Sequence, residues 1–448
     1  MWFLFVLALA AQAQDTRHVA EPVVPQPCVT LYAKLAAGAE TLKVEDENHP
    51  DTMRIQQAID GCAAGHAIEL KVKGSSDAFL SGPLRLRANI TLLIDKGVVL
   101  FASRNPRDYD ISAGSCGVVD ERGHGCQALI NGDHADHAAV MGEGVIDGRG
   151  SATLLGQKVS WWDLAQEAKV KKLNQSCPRL LTLVRCNDFT LYKIRLKNSP
   201  NFHVSFNQGN GFTAWGVVID SPKTARNTDG IDPANSTNVT ITQCFIHTGD
   251  DQVAIKAGGQ AGASSHMSIV HNHFYTGHGM SIGSETDAGA NYVLVSDLSI
   301  EGADNGIRIK SNSSRGGVVE NITYEHVCIR DTRNPILMDT SYSYTGTNRD
   351  KLPVFQNITL RDVHIAGGGK ITFDGYDSSH RLRMNLDDVT INGSTGVQVV
   401  AKHADLVLGP GAVNFKPVGL DINVTGETGK DLGADSCQKK FVPMPQFE

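Results

Sequence analysis

A nine-residue block that returns eight times constrains this chain more than any other feature. The copies are "DFTLYKIRL" from Asp188, "GFTAWGVVI" from Gly211, "NVTITQCFI" from Asn238 and "HMSIVHNHF" from His266. "YVLVSDLSI" from Tyr292, "NITYEHVCI" from Asn321, "NITLRDVHI" from Asn357 and "RMNLDDVTI" from Arg383 complete the series. Their starts are 23, 27, 28, 26, 29, 36 and 26 residues apart. Within each block apolar residues tend to recur at alternate positions, as in a strand with one buried face. A short loop and a second apolar run follow most blocks: "QVAIKA", "GMSIGS", "GIRIKS", "PILMDT". A unit this short cannot bury its apolar face alone, but it can when stacked on copies of itself. The pattern predicts an all-β chain, a right-handed parallel β-helix. A leucine-rich repeat would need a Leu/Asn pattern that is absent, and a propeller would need longer, four-stranded units. The Asn that opens several blocks suits a turn corner.

The stack is expected over residues 25–400. Past about Lys402 the repeat fades into a Gly-rich tail, 401–448, to which no structure is assigned. An open stack needs its end covered. "DTMRIQQAIDGC" places Ile55, Ala58, Ile59 and Cys62 at helical spacing and reads as an amphipathic cap at the N-terminal end. "SWWDLAQEAKVKKL" reads as a second helix, with Trp161 and Trp162 used for packing. A length of 448 residues would ordinarily suggest two or three domains, but hydrophobic residues at 41 %, charged residues at 20 % and 45 glycines suit many short strands and tight turns.

The formal charge of -7 speaks against nucleic acid as a partner, because phosphate binding wants a basic surface. The first residues, "MWFLFVLALAAQAQD", are apolar from Trp2 to Ala11 and end in Ala11-Gln12-Ala13. Residues 1–13 therefore read as a secretory signal peptide, although no Lys or Arg opens it. The run is too short for a membrane anchor and no later run is longer, so a secreted protein is expected, periplasmic if the host is Gram-negative. Export permits disulfides. Of nine cysteines, Cys28–Cys62 and Cys116–Cys126 are the expected bridges, the second closing "CGVVDERGHGC". Cys186, Cys244 and Cys328 sit in strand-like runs and read as small buried hydrophobes. Cys177 and Cys437 remain as a pair with no local support. No cysteine spacing resembles a zinc site.

The coils can be registered on one another. Val253, Met280, Ile307 and Ile336 align, as do Ile255, Ile282, Ile309 and Met338, and Ile231 of "NTDGIDP" aligns with Val253. Asp229, Asp251 and His278 then fall on one position of three successive coils, and neighbouring strands lie about 4.8 Å apart. Asp250 precedes Asp251 at the same turn. With Ile307 and Ile309 inward, Arg308 and Lys310 point out on one side. A single residue of this kind is by default a solvated turn charge; six in one register are not. Clustered carboxylates raise one another's pKa, so one can stay protonated as an acid. An inverting glycosidase needs an acid and a base about 6.5–9.5 Å apart, with water between. Two cations beside them suit an anionic sugar.

"NTDGID", "GDD", "GHG" and "RIK" occur in that order at Asn227, Gly249, Gly277 and Arg308. With "FLSGPL", "LLIDKGV", "KVSWW", "NSPNFH" and "GHGMSIGSET", the chain from about Cys28 to Gly393 resembles the polygalacturonases of glycoside hydrolase family 28, especially secreted bacterial endopolygalacturonases. Each motif alone is weak, but four in order on such a repeat are specific. The resemblance implies hydrolysis of α-1,4 galacturonate links in polygalacturonate, with endo action, no cofactor, no metal and a monomer. Asp250 would be the general acid, and Asp229 and Asp251 would position and activate water. His278 would support the acid's ionisation, and Arg308 and Lys310 would grip galacturonate carboxylates. Tyr342, beside Tyr344, matches a substrate-contacting Tyr; Asn227 and Lys256 are further substrate-binding candidates. His271 and His273 read as structural. A rhamnogalacturonan hydrolase would lack the full motif set. A pectate lyase would use calcium and a basic residue, and a non-catalytic carbohydrate-binding β-helix would not need six ordered site residues.

Overall fold

The computed structural model describes residues 14–37, 41–343, 350–393, 397–430, 437 and 439–446. The expected leader and Tyr344 lie outside the described residues. The chain divides into two compact units. The N-terminal unit comprises Ala20–Ile231, Ile246–Asp250 and Pro445–Glu448; the C-terminal unit comprises Met1–Val19, Asp232–Phe245 and Asp251–Met444.

Both units are built from parallel strands paired in the expected block register. In the N-terminal unit Phe189 pairs with Phe212. In the C-terminal unit Val239 pairs with Met267, Met267 with Val293, Val293 with Ile322, Ile322 with Ile358 and Ile358 with Met384. One feature modifies the simple alternation. The opening residue of seven blocks and the sixth residue of all eight have positive φ, from Asp188 and Lys193 to Asn357, Asp362 and Asp388. A left-handed residue costs an L-amino acid about 1–2 kcal/mol, and Asn, Asp, His and Gly tolerate it best. The left-handed residue at position six shifts the phase of the strand by one. Positions two, four, seven and nine therefore face the core: Ile322, Tyr324, Val327 and Ile329 in one block, Ile358, Leu360, Val363 and Ile365 in the next. Asn272 occupies a seventh position and is fully buried. Its Oδ1 accepts from the Cys244 amide at 2.9 Å and its Nδ2 donates to the Ile241 carbonyl at 2.9 Å, so no polar atom is stranded by that choice.

Among the described residues, both α-helices belong to the N-terminal unit. α1, Thr52–Gly61, buries Ile55 and Ile59. It is fixed by hydrogen bonds from the Gly82 amide to Thr52 and from the Arg85 amide to Gln56, as expected of a cap. α2, Trp161–Lys171, starts at a Ser160/Asp163 capping box and ends at Lys172 in a left-handed conformation. Trp161 is fully buried with its ring edge-on to Tyr109, and Trp162 Nε1 donates to the Ser199 carbonyl at 2.9 Å, so both tryptophans are used for packing.

Two expectations change. The sheet does not stop near residue 400: Gln398–Leu408 pairs with Lys370–Asp374 and Leu382–Asn392, and Val418–Gly426 pairs with Gln398–Leu408. Cys28–Cys62 and Cys116–Cys126 form as expected, but Cys328 is not a free core thiol. It bridges Cys437, and Cys177, Cys186 and Cys244 are buried thiols outside the disulfides. The phase shift explains this. Strict alternation from Ile322 and Tyr324 would put Cys328 inside; after His326, Val327 and Ile329 turn in and Cys328 turns out towards Cys437. Alkylation of native and unfolded protein with peptide mapping should therefore recover a Cys328–Cys437 peptide, with Cys177 modified only after unfolding. Cys437→Ser should cost about 2–4 kcal/mol of stability in urea titration. A Cys177–Cys437 peptide would contradict the pairing.

Candidate active site

In the C-terminal unit the second strands pair as the sequence register required. Val253 pairs with Met280, Met280 with Ile307 and Ile307 with Ile336. Ala234 bridges Lys256, the same offset of 22 that aligned Ile231 with Val253. The inward residues Val253, Ile255, Met280, Ile282, Ile307 and Ile309 are fully buried. Ser281 pairs with Arg308 on the outward side.

Asp251 is 1 % exposed, and three donors converge on it. Its Oδ1 accepts from Ser281 Oγ at 2.7 Å and from Arg308 Nη1 at 3.1 Å; its Oδ2 accepts from Lys310 Nζ at 2.6 Å. Arg308 and Lys310 are each 5 % exposed. Burying an ion costs several kcal/mol unless a partner offsets it, and here one carboxylate serves two cations. Tyr342 lies against both: its ring centroid is 5.0 Å from Arg308 Cζ and 5.1 Å from Lys310 Nζ. The Tyr342 backbone is fixed in turn, its amide on the Ser311 carbonyl and its carbonyl on Asn312 Nδ2.

His278 is half-buried, with a ring nitrogen within 4.8 Å of an Asp251 carboxylate oxygen and Nε2 3.6 Å from Asp304 Oδ2. The turn that carries it is tightly specified. A Cβ on Gly279 would meet the Gly306 carbonyl oxygen at 2.2 Å. The Gly279 amide donates to Gln252 Oε1 at 2.5 Å, and Gln252 Nε2 donates to the Tyr275 carbonyl at 2.6 Å. Gln252, fully buried and next to Asp251 in sequence, thus ties the His278 turn to the strand that follows Asp251. Sequence reasoning missed Gln252 and Ser281. The signal for Ser281 was present, because it aligns with Arg308 in the same register. Lys256 Nζ is paired with the buried Asp232 at 2.6 Å.

Asn227, Asp229 and Asp250 belong to the N-terminal unit. Asn227 Nδ2 donates to Asp250 Oδ2 at 3.5 Å, and Gln175 Nε2 donates to Asn227 Oδ1 at 3.0 Å. Asp229 is 4 % exposed and Asp250 is half-buried. The turns bearing them are joined directly, because the Gly249 amide donates to Thr228 Oγ1 at 2.9 Å. A Cβ on Gly249 would lie 2.0 Å from the Ala225 carbonyl oxygen, so the first position of "GDD" must be glycine. The same unit holds a cavity of about 300 Å³ whose lining includes Asn227, Gln175, Asn201, His124, Arg179 and Arg226. Arg179 stacks over Phe202 at 4.7 Å and donates to Ser205 Oγ; Arg226 donates to the Ala165 carbonyl. Burial and the Arg179 charge push the His124 pKa down, so the cavity's fixed charges are its two guanidiniums.

Residues 62–405 match the family model described as glycosyl hydrolases family 28. The endo-polygalacturonase of Pectobacterium carotovorum subsp. carotovorum is 43 % identical over 395 residues, covering 88 % of this chain and 94 % of the relative. The polygalacturonase of Ralstonia nicotianae is 39 % identical over 497 residues, covering 95 % and 92 %. The solved polygalacturonase from Erwinia carotovora ssp. carotovora superposes with a TM-score of 0.81 at 43 % identity, over 88 % of this chain and all (100 %) of that one. The chain belongs to glycosyl hydrolases family 28 and has the right-handed parallel β-helix fold.

The buried charge cluster makes a direct prediction. Asp251→Asn takes from the buried Arg308 and Lys310 the carboxylate they share and should cost about 3 kcal/mol or more at pH 7, read by urea titration. Adding Lys310→Met removes one of the two like charges left there and should recover part of that loss. Single and double variants that lose stability additively would show that the pair is not formed in solution.

Proposed function

We infer that this chain is an endo-acting polygalacturonase, a hydrolase of the α-1,4 links in polygalacturonate. The observation that carries this is the match, at 43 % identity over 88 % of this chain and 94 % of the relative, to a protein described as an endo-polygalacturonase. The two half-buried arginines of the N-terminal unit's cavity and the Arg308/Lys310 pair support an acidic polymer, on a chain whose overall charge is -7.

In this reading Asp250 is the general acid and protonates the oxygen of the leaving sugar. Asp229 and Asp251 orient and deprotonate the attacking water, which enters from the opposite face, so the anomeric configuration inverts. The three donors on Asp251 fix the orientation of its carboxylate. Asp250, bonded to the Asn227 amide, takes the proton-donating role. His278 supports the ionisation of this group, and Arg308, Lys310, Tyr342 and Asn227 bind galacturonate, with Lys256 acting through Asp232. The enzyme works outside the cytoplasm. Three disulfides, the leader-like first residues and a polymeric substrate support export. Among the described residues, no helix is long and apolar enough to cross a membrane.

Product sizes over time on polygalacturonic acid test the activity: mixed oligomers at early times are expected, and monomer or dimer alone would exclude endo action. Asp250→Asn should abolish turnover while leaving the fold and oligogalacturonate binding intact; substantial residual activity would remove Asp250 from the acid role. Arg179→Ala should raise KM on polygalacturonate about tenfold or more, with a smaller effect on methyl-esterified pectin. An equal effect on both substrates would mean that Arg179 does not read the carboxylate.

A further inference from the structure

The mechanism above makes no use of the histidine that ends "NSPNFH". His203 is fully buried, and its environment lies within the N-terminal unit. Its backbone amide donates to the Asp229 carbonyl at 2.8 Å, and its ring Nδ1 lies 3.0 Å from the same oxygen. A carbonyl oxygen only accepts, so Nδ1 carries the hydrogen. Nε2 is then an acceptor, and it lies 3.0 Å from the hydroxyl of Ser221, which must donate to it. The Ser221 amide in turn donates to the carbonyl of His247 at 2.9 Å, three residues before Asp250. Ser221, Thr228 and Thr248 are all fully buried. Thr228 Oγ1 takes the Gly249 amide, and Thr248 Oγ1 donates to the Asp250 carbonyl at 2.7 Å.

The ring therefore bridges two turns. One face of its hydrogen bonding holds the main chain of Asp229; the other, through Ser221, holds the segment that leads to Asp250. A polar layer this deep is rigid because every bond in it would be costly to leave unmade. Burial pushes the His203 pKa down to about 4, so the ring is neutral at neutral pH and Nε2 is free to accept.

We propose that His203 is a positioning residue for this enzyme: its two ring nitrogens set the placement of Asp229 relative to Asp250. The proposal rests on the reading of those two aspartates as catalytic and adds to it a residue that touches no substrate.

Four variants separate positioning from bulk packing. In His203→Asn the amide nitrogen takes the place of Nδ1 and keeps the bond to the Asp229 carbonyl. In His203→Gln the amide reaches the place of Nε2 and keeps only the Ser221 contact. His203→Ala keeps neither, and Ser221→Ala removes the far contact with the ring intact. Thermal unfolding of each variant defines a temperature at which all are folded, and kinetics on polygalacturonate are measured there. The expected result is a kcat at least tenfold lower for His203→Gln and His203→Ala, with KM within twofold of the parent. His203→Asn and Ser221→Ala, which each lose only the far contact, should fall between the parent kcat and that tenfold loss. If folded variants keep the parent kcat whatever their unfolding temperature, or if KM changes instead of kcat, the proposal is overturned. Should His203→Ala fail to fold, the Asn and Gln pair and Ser221→Ala decide it. Asp229→Asn is run alongside: full activity there would remove the catalytic reading of Asp229, a result distinct from any His203 outcome.

Discussion

The left-handed residues at the corners of each block hold the rest of the molecule in register. A parallel strand alone has no reason to stop or bend where its neighbour does. Placing positive φ at the same block positions, Asn321 and His326 in one coil and Asn357 and Asp362 in the next, makes each coil bend where the one beside it bends. The core columns follow, because the bend at position six decides which later side chains turn inward. The outward columns follow from the same phase. Ser281 and Arg308 end up paired side by side, and both reach one carboxylate.

Much of this was legible in the sequence, and the reasons differ by feature. The alignment of Val253, Met280, Ile307 and Ile336 could be read because all four are apolar at one place in a repeated unit. Cys116–Cys126 could be read because the loop between them is short. Cys328–Cys437 could not, since its partner lies 109 residues away and simple alternation assigned Cys328 to the wrong face. The bend at His326 was the missing information, and nothing in "NITYEHVCI" announces a positive φ except the tolerance of His for it. The sheet beyond residue 400 was missed for a related reason: its last strand, Val418–Gly426, is mostly exposed and carries no clean one-faced pattern.

The site was legible in kind but not in contact. Strand alternation placed Arg308 and Lys310 on one side. It could not say that both would fold back onto Asp251, because side-chain direction beyond Cβ is decided by which charges are buried nearby. The same limit hid Gln252, whose position beside "GDD" looked like the start of a strand. Its amide group instead spans to the Gly279 turn and the Tyr275 carbonyl. Buried polar side chains of this kind leave no periodic trace, yet they carry the orientation of the reacting groups.

The block register also separates two properties that most folds couple. Phe189 and Phe212, 23 residues apart, pair directly, and so do Ile322 and Ile358, 36 residues apart. The excess length leaves the pairing of the strands on either side in the same register. A scaffold of this sort lets the walls above the sheet be lengthened, shortened or exchanged while the groups rooted in the strands keep their spacing. New polymer preferences are then reachable by changing loops alone, in evolution or in the laboratory.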